Sequence, residues 1–209
     1  MPASRNPPPP PTPPAPAAAL GGHAAAVLLL VTVSAFVGGM VGIERTILPL
    51  LAEARFGIAS KAAAVAFIAT FGLSKAAVNF FAGRLSDHWG RRRILLLGWA
   101  VGLPVPLVLL YAPSWGWILA ANVLLGVNQG LTWSMTVVMK VDLVPGRARA
   151  LVVGWNEFAG YAGMAGAAAL TGYIASVRGL WPEPFYVGLA LAVTGLALSW
   201  LTSDTRPPA

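Results

Sequence analysis

The chain has 209 residues, of which 57% are hydrophobic and only 10% are charged. A chain of this composition cannot cover its surface with polar groups, so the class that fits is an integral membrane protein. Its 14 Lys and Arg outnumber its 7 Asp and Glu, and it has no cysteine, which excludes disulfides and thiolate chemistry. The cations cluster between apolar stretches, so membrane topology explains them better than binding to nucleic acid.

Residues 1–22 are dominated by Pro and Ala and include five consecutive prolines at 7–11. Such a segment cannot bury a core and favours polyproline II or disorder, so it is predicted to be a tail without an assigned function. The apolar stretch that follows is longer than the roughly 7–15-residue core of a signal peptide, which indicates an uncleaved first membrane span.

Six apolar windows follow, each near the roughly 20 residues that a helix needs to cross a bilayer. They cover residues 24–51, 60–81, 94–111, 117–139, 150–175 and 185–201. The sequence therefore predicts an all-α membrane protein, with a six-helix transmembrane domain over residues 23–203. Gly38-x-x-x-Gly42 in the first span and Gly126-x-x-x-Gly130 in the fourth predict two places where helix backbones approach closely.

Lys and Arg residues outside the spans lie mostly on one side of the membrane. That side holds nine cations: Arg5, Arg84, Arg91, Arg92, Arg93, Lys140, Arg147, Arg149 and Arg206. The other side holds three, which are Arg55, Lys61 and Arg178. Because cationic loops are retained in the cytoplasm, both termini are predicted to be cytoplasmic. Aromatic residues fall at both predicted interfaces, as membrane belts require.

The densest charge lies at residues 83–93, in a segment predicted to be the loop between the second and third spans. Gly83 allows close helix approach, Gly90 allows a tight reversal, and each of the three arginines that follow contributes about 1 kcal/mol at an anionic membrane surface. Asp87 has no topological reason to sit among arginines. The sequence leaves two alternatives open for this acid. It pairs with Arg84 in the first, and it accepts hydrogen bonds from a helix N-terminus in the second.

This segment resembles the signature G-x-L-[AS]-D-x-x-G-R-[KR]-[KR], which the major facilitator superfamily carries between its second and third membrane helices. The resemblance assigns a cytoplasmic gating motif to Gly83, Arg84, Leu85, Asp87, Gly90, Arg91, Arg92 and Arg93. The basic stretch 142–149 is similar to the loop that the family places between its fourth and fifth helices. The resemblance implies a secondary active transporter of a small solute that works by alternating access in the plasma (inner) membrane.

In the family, two six-helix halves are joined by a cytoplasmic linker, and each half is a 3+3 inverted repeat. The resemblance thus covers an N-terminal half bundle, with residues 204–209 as the start of the linker. A second six-helix half or a homodimer partner would then complete the fold, and Asp87 would contact a helix end of the other half. The alternative is a truncated or degenerate fragment without transport of its own. Asn122 replaces the arginine of proton-coupled members, and residues 160–163 lack the proline of drug antiporters.

Polar side chains inside spans are costly and usually face a cavity or a partner, so they are the candidate substrate or ion site. The candidates are Arg45, Lys75, Asn79, Asn128, Gln129, Trp133 and Glu157. A rise of about 1.5 Å per residue puts Lys75 and Glu157 at similar depth, which predicts that they pair. For Arg45 the alternatives are binding an anionic substrate and anchoring at the outer interface. Core packing is the favoured alternative for Trp133.

The inventory of reactive residues does not favour an enzyme. The histidines, His23 and His88, lie near the tail and in the charged segment, and no catalytic triad or metal-ligand spacing is present. A phosphate-binding loop for nucleotide is also absent. We therefore predict no catalytic residue, metal or cofactor. The predicted partners are the lipid bilayer and a small-molecule substrate, without nucleic acid.

Overall fold

A computed structural model describes residues 20–206, which form helices and short connections. The α-helices are α1 (Ala24–Phe56), α2 (Ser60–Trp89), α3 (Arg91–Gly102), α4 (Pro104–Tyr111), α5 (Trp115–Leu143), α6 (Arg149–Arg178) and α7 (Glu183–Trp200). Short 3₁₀ turns cover Gly21–His23 and Gly146–Ala148. Residues 1–19 of the predicted tail and residues 207–209 of the predicted linker lie outside the described residues.

Helices α3 and α4 together make one long helix, which is interrupted at Leu103. Pro104 and Pro106 supply no backbone N–H, so the hydrogen-bond ladder breaks at this point. Counted this way, the described residues form six long helices, which confirms the predicted number. Four of them, Ala24–Phe56, Ser60–Trp89, Arg91–Tyr111 and Glu183–Trp200, are long and apolar enough to cross a membrane. The other two, α5 and α6, carry most of the predicted polar site.

The six long helices form two three-helix units, one of α1, α2 and the α3–α4 helix, the other of α5, α6 and α7. Each helix of one unit packs on the other unit in the same way as its counterpart does. Helix α1 packs mainly on α6 and next on α7, while α5 packs mainly on α2 and next on α3. The short connections reverse the chain after each long helix, so α1 and α5 run in opposite directions. The two three-helix units are therefore inverted copies in their packing. This arrangement agrees with the 3+3 inverted repeat that the resemblance implies.

Glycines allow the two equivalent helix pairs to approach at backbone distance. A Cβ atom on Gly38 of α1 would overlap the carbonyl group of Gly160 in α6. In the equivalent pair, a Cβ atom on Gly126 of α5 would overlap Ser74 of α2. The close approaches predicted from the two glycine pairs are thus confirmed. In an apolar environment such contact gives tight van der Waals packing between helices.

One end of the bundle contains residues 83–93, the connection 144–148 and residues 202–206, and we call it the motif end. The prediction of a loop over 83–93 was wrong, because α2 continues through Trp89 and α3 begins at Arg91. The reversal is made by Gly90 alone, with φ of 91°, a conformation that a residue with a Cβ rarely adopts. The predicted tight reversal at Gly90 is confirmed.

Candidate functional site: the gating motif and a polar cluster

Arg91 is the centre of the motif-end contacts. Its Nη1 atom donates to Asp87 Oδ1 at 2.5 Å and to Ser86 Oγ at 2.6 Å, both in the last turn of α2. Its Nε atom donates to Asp142 Oδ2 at 3.2 Å, at the end of α5. One guanidinium group thus ties α2, α3 and α5 together through charge-assisted hydrogen bonds. Asp87 therefore pairs with Arg91, and neither partner foreseen for it from the sequence is the observed one.

Asp87 is nevertheless accessible. Its side chain is 61% exposed, and its ion pair with Arg91 uses one carboxylate oxygen. A pair this exposed contributes little to stability on its own. The exposed carboxylate is thus available to a group outside the described residues.

Residues 204–206 fold back onto the motif. Asp204 Oδ1 accepts a hydrogen bond from the backbone N–H of Arg91, the first residue of α3, at 3.2 Å. Arg206 Nη1 donates to the carbonyl oxygens of Asp87 and His88 in the last turn of α2, at 3.1 and 3.2 Å. An acid at a helix N-terminus and a cation at a helix C-terminus both oppose the partial charges of the helix ends. The segment predicted to begin the linker therefore caps both helices of the motif.

The remaining motif residues have more local contacts. Arg92 donates to the carbonyl oxygen of Trp200 at 2.7 Å, and its guanidinium carbon lies 5.3 Å from the centroid of that indole. Leu85 packs against the hydrophobic core, and Arg84 and Arg93 are exposed. A Cβ atom on Gly83 would meet no described atom within 4 Å, so the close helix approach predicted for Gly83 is not made within the described residues.

The centre of the bundle brings three of the predicted site residues together. Lys75 Nζ of α2 lies 4.7 Å from the centroid of the Trp133 ring in α5. Trp133 Nε1 donates to Glu157 Oε1 of α6 at 3.0 Å. Lys75 and Glu157 thus share a layer, as their depth predicts. The direct ion pair predicted between them does not form in the described residues; instead, both charged groups contact the indole of Trp133.

Two other predicted site residues tie helices together instead of lining an opening. Asn128 and Gln129 of α5 are fully buried, and each donates to a backbone carbonyl at 2.8 Å, in Gly98 of α3 and Val37 of α1 respectively. Their amides satisfy buried backbone acceptors, which is the usual role of a buried polar group. The assignment of both to a cavity was therefore wrong, because the sequence does not reveal which neighbour each amide faces.

The last two candidates lie at the edges of the polar cluster that Lys75, Trp133 and Glu157 form. Arg45 is exposed, and its Nη1 atom is 3.7 Å from the sulfur of Met164. Asn79 is also exposed and accepts a hydrogen bond from Ser134 Oγ at 3.1 Å, one helical turn from Lys75 towards the motif end. Both side chains remain accessible for binding.

A buried lysine was missed in the sequence. Lys140 is fully buried, and its Nζ donates to Leu30 O at 3.0 Å and Ser34 Oγ at 2.7 Å. Ser34 Oγ lies 2.9 Å from Asn156 Oδ1, and Asn156 Nδ2 donates to Glu157 Oε1 at 3.1 Å. This polar chain crosses α5, α1 and α6 and connects an ammonium group to a carboxylate. Glu157 Oε1 therefore accepts two hydrogen bonds, from Asn156 and Trp133.

Lys140 was counted from the sequence as a loop cation that orients the protein. The missed signal was its spacing, since it lies seven residues after Trp133 and so on the same face of α5. In the described residues no group of three His, Asp or Glu is arranged to hold a metal ion. The polar cluster thus offers fixed charges and hydrogen-bonding groups around an aromatic surface, which suits binding of a polar solute.

Comparison with known proteins agrees with this architecture. The sequence model of the Major Facilitator Superfamily matches residues 27–209. The chain is also 26% identical over 166 residues to the "Uncharacterized MFS-type transporter Rv1250" of Mycobacterium tuberculosis (strain ATCC 25618 / H37Rv), covering 77% of this chain and 28% of that protein. The chain thus spans about a quarter of the length of this relative. Since the family match covers most of its residues, the chain belongs to the major facilitator superfamily of membrane transporters.

Proposed function

We propose that the chain forms part of a secondary active transporter that moves a small solute by alternating access. Its solute site includes Lys75, Trp133 and Glu157. The observation that carries this proposal is the indole of Trp133, with an ammonium nitrogen 4.7 Å from its ring centroid and a carboxylate oxygen 3.0 Å from its Nε1 atom. Charged groups inside a membrane bundle are expensive and are usually kept for ligand binding or transport.

The arrangement favours a small solute that carries both charges. Lys75 would bind its anionic group and Glu157 its cationic group, while the Trp133 ring contacts the apolar part between them. Glu157 Oε1 already accepts two hydrogen bonds, whereas Oε2 accepts none within the described residues. That oxygen is therefore the one available to a solute cation. Desolvation strengthens both charge contacts relative to their strength in water.

Neutralising both charges tests this site. With the chain in proteoliposomes, we expect Lys75→Gln and Glu157→Gln each to weaken binding of zwitterionic amino acids, used as probes, at least tenfold, or about 1.4 kcal/mol. The readout is isothermal titration together with uptake of the same labelled compounds. Lys61→Gln and Glu53→Gln are the matched controls, since both side chains are exposed.

The combined outcomes separate the alternatives. Unchanged binding after simultaneous neutralisation of Lys75 and Glu157 would refute the site. Binding without uptake would indicate that a second six-helix half, or a homodimer partner, is needed. If the chain shows neither binding nor uptake, the alternative of a fragment without transport activity is favoured.

The proposed topology places the motif end in the cytoplasm of a plasma (inner) membrane, with both termini there. Because the chain has no cysteine, each introduced cysteine is unique. Ser114 and Ser203 are both exposed and lie at opposite ends of the bundle. We expect a membrane-impermeant maleimide to label Ser114→Cys in intact cells and Ser203→Cys only after lysis. The reverse labelling pattern would show that the orientation in the membrane is opposite to the proposed one.

A further inference from the structure

The polar chain that begins at Lys140 has one direction. An ammonium group can only donate, and Lys140 Nζ donates to Leu30 O at 3.0 Å and to Ser34 Oγ at 2.7 Å. The Ser34 hydroxyl has one hydrogen and two acceptors in reach, Leu30 O at 2.8 Å and Asn156 Oδ1 at 2.9 Å. Because Lys140 already donates to the first, the hydrogen is needed by the second. Asn156 Nδ2 then donates to Glu157 Oε1 at 3.1 Å, so every link points from the cation to the acid.

The buried charge of Lys140 has to be balanced inside the bundle. Lys140 is fully buried and forms no ion pair among the described residues, and Glu157 is the acid that attracts it. Hydrogen bonds aligned from a cation to an anion polarise one another where the dielectric constant is low. The alignment also fixes the Asn156 amide, since the reversed amide would place its oxygen against a carboxylate oxygen. The polar chain thus couples two charges that do not touch.

The charges around Glu157 do not cancel. Lys75 of α2 is attracted by Glu157 and repelled by Arg45 of α1. Arg45 contacts Met164, which lies seven residues after Glu157 and so on the same face of α6. The buried acid Glu44 lines a cavity against α4 and α7 instead. Together with the buried lysine, three cations therefore act on one acid.

We propose that Lys140 is the internal counter-ion of Glu157, and that the resulting excess of positive charge makes the site selective for acidic amino acids or close analogues. Such solutes carry one more anionic group than cationic groups. Lys140 is a positioning residue, because a fully buried side chain cannot touch the solute. Half-buried Lys75 and exposed Arg45 are then available to two anionic groups, and Glu157 Oε2 to an ammonium group. The selectivity rests on the proposed function, whereas the pairing of Lys140 with Glu157 does not.

Glutamate and glutamine test the selectivity, because they match in size and shape and differ in one charge. With the full chain in proteoliposomes, isothermal titration should show glutamate binding about tenfold tighter than glutamine to the unmodified protein. Lys140→Gln should remove most of this preference and retain glutamine binding, whereas a folding defect would weaken the binding of both. Arg147→Gln is the matched control and should keep the preference, because Arg147 is an exposed cation at the same end of the bundle.

The outcomes separate this selectivity from the proposed site. Equal binding of glutamate and glutamine by the unmodified protein would overturn the selectivity and leave the site intact. Binding of neither compound would overturn the site and the selectivity with it. A preference that persists undiminished in Lys140→Gln would overturn the role of Lys140.

Denaturant unfolding in detergent tests the pairing without any solute. A buried charge that loses its counter-ion destabilises the protein, so Lys140→Gln and Glu157→Gln should each lower the denaturant concentration at the midpoint. In the double variant neither charge is left without its partner. Its midpoint should therefore fall by less than the sum of the two single shifts. Additive shifts would overturn the pairing.

Discussion

Gly38→Ala is expected to lower the free energy of unfolding by about 1–3 kcal/mol, the usual cost of overpacking a tightly packed core. The added methyl group would overlap the carbonyl group of Gly160, which belongs to the backbone of α6 and cannot rotate away. Helix α1 must therefore move off α6, its main packing partner. The measurement is thermal unfolding of the protein in detergent, followed by circular dichroism.

Gly166→Ala in α6 is the matched control, since it adds the same atoms where no described atom lies within 4 Å. The control should unfold at the wild-type temperature or above it, because Ala favours a helix by up to about 1 kcal/mol over Gly. Gly126→Ala should repeat the loss in the second three-helix unit, where the added methyl group overlaps Ser74. Equal stability of Gly38→Ala and Gly166→Ala would contradict the backbone contact between α1 and α6.

Arg91→Lys is expected to cost about 2 kcal/mol of unfolding free energy, although it conserves the charge. Arg91 reaches Asp87, Ser86 and Asp142 from different guanidinium nitrogens. A lysine ammonium is a single point and cannot reproduce that fork. Hydrogen bonds to charged groups contribute about 1.5–3 kcal/mol each. The contacts with buried Ser86 and half-buried Asp142 carry this cost, because Asp87 is exposed. Denaturant unfolding in detergent measures the change.

Arg93→Lys is the control at the motif end, because Arg93 is exposed and should change stability by at most about 0.5 kcal/mol. Hydrogen exchange gives an independent readout. Faster exchange of the backbone amide at position 91 in Arg91→Lys would show that the cap from Asp204 has loosened together with the side-chain contacts of that position. If Arg91→Lys and Arg93→Lys unfold alike, Arg91 does not hold the motif end together.

Much of the architecture was predictable from the sequence, because long apolar runs indicate membrane helices. The six long helices, the reversal at Gly90 and the two glycine pairs follow from length, hydropathy and the absence of a side chain. The end of α2 was less predictable, since charged residues continue a helix as readily as they form a loop. Charge alone therefore misassigned residues 83–89.

The sequence by itself determined the membrane class, the number of long helices, the family signature and the layer shared by Lys75 and Glu157. Tertiary structure alone decided which neighbour each polar side chain meets. Asn128 and Asn156 are the same residue type, yet one binds a backbone carbonyl of α3 and the other binds Glu157. The physical reason is that a buried polar group is defined by its hydrogen-bond partners, and these lie on helices distant in sequence. For the same reason, the hydrogen bonds of Lys140 with Leu30 and Ser34 of α1 were revealed only by the packing of the helices.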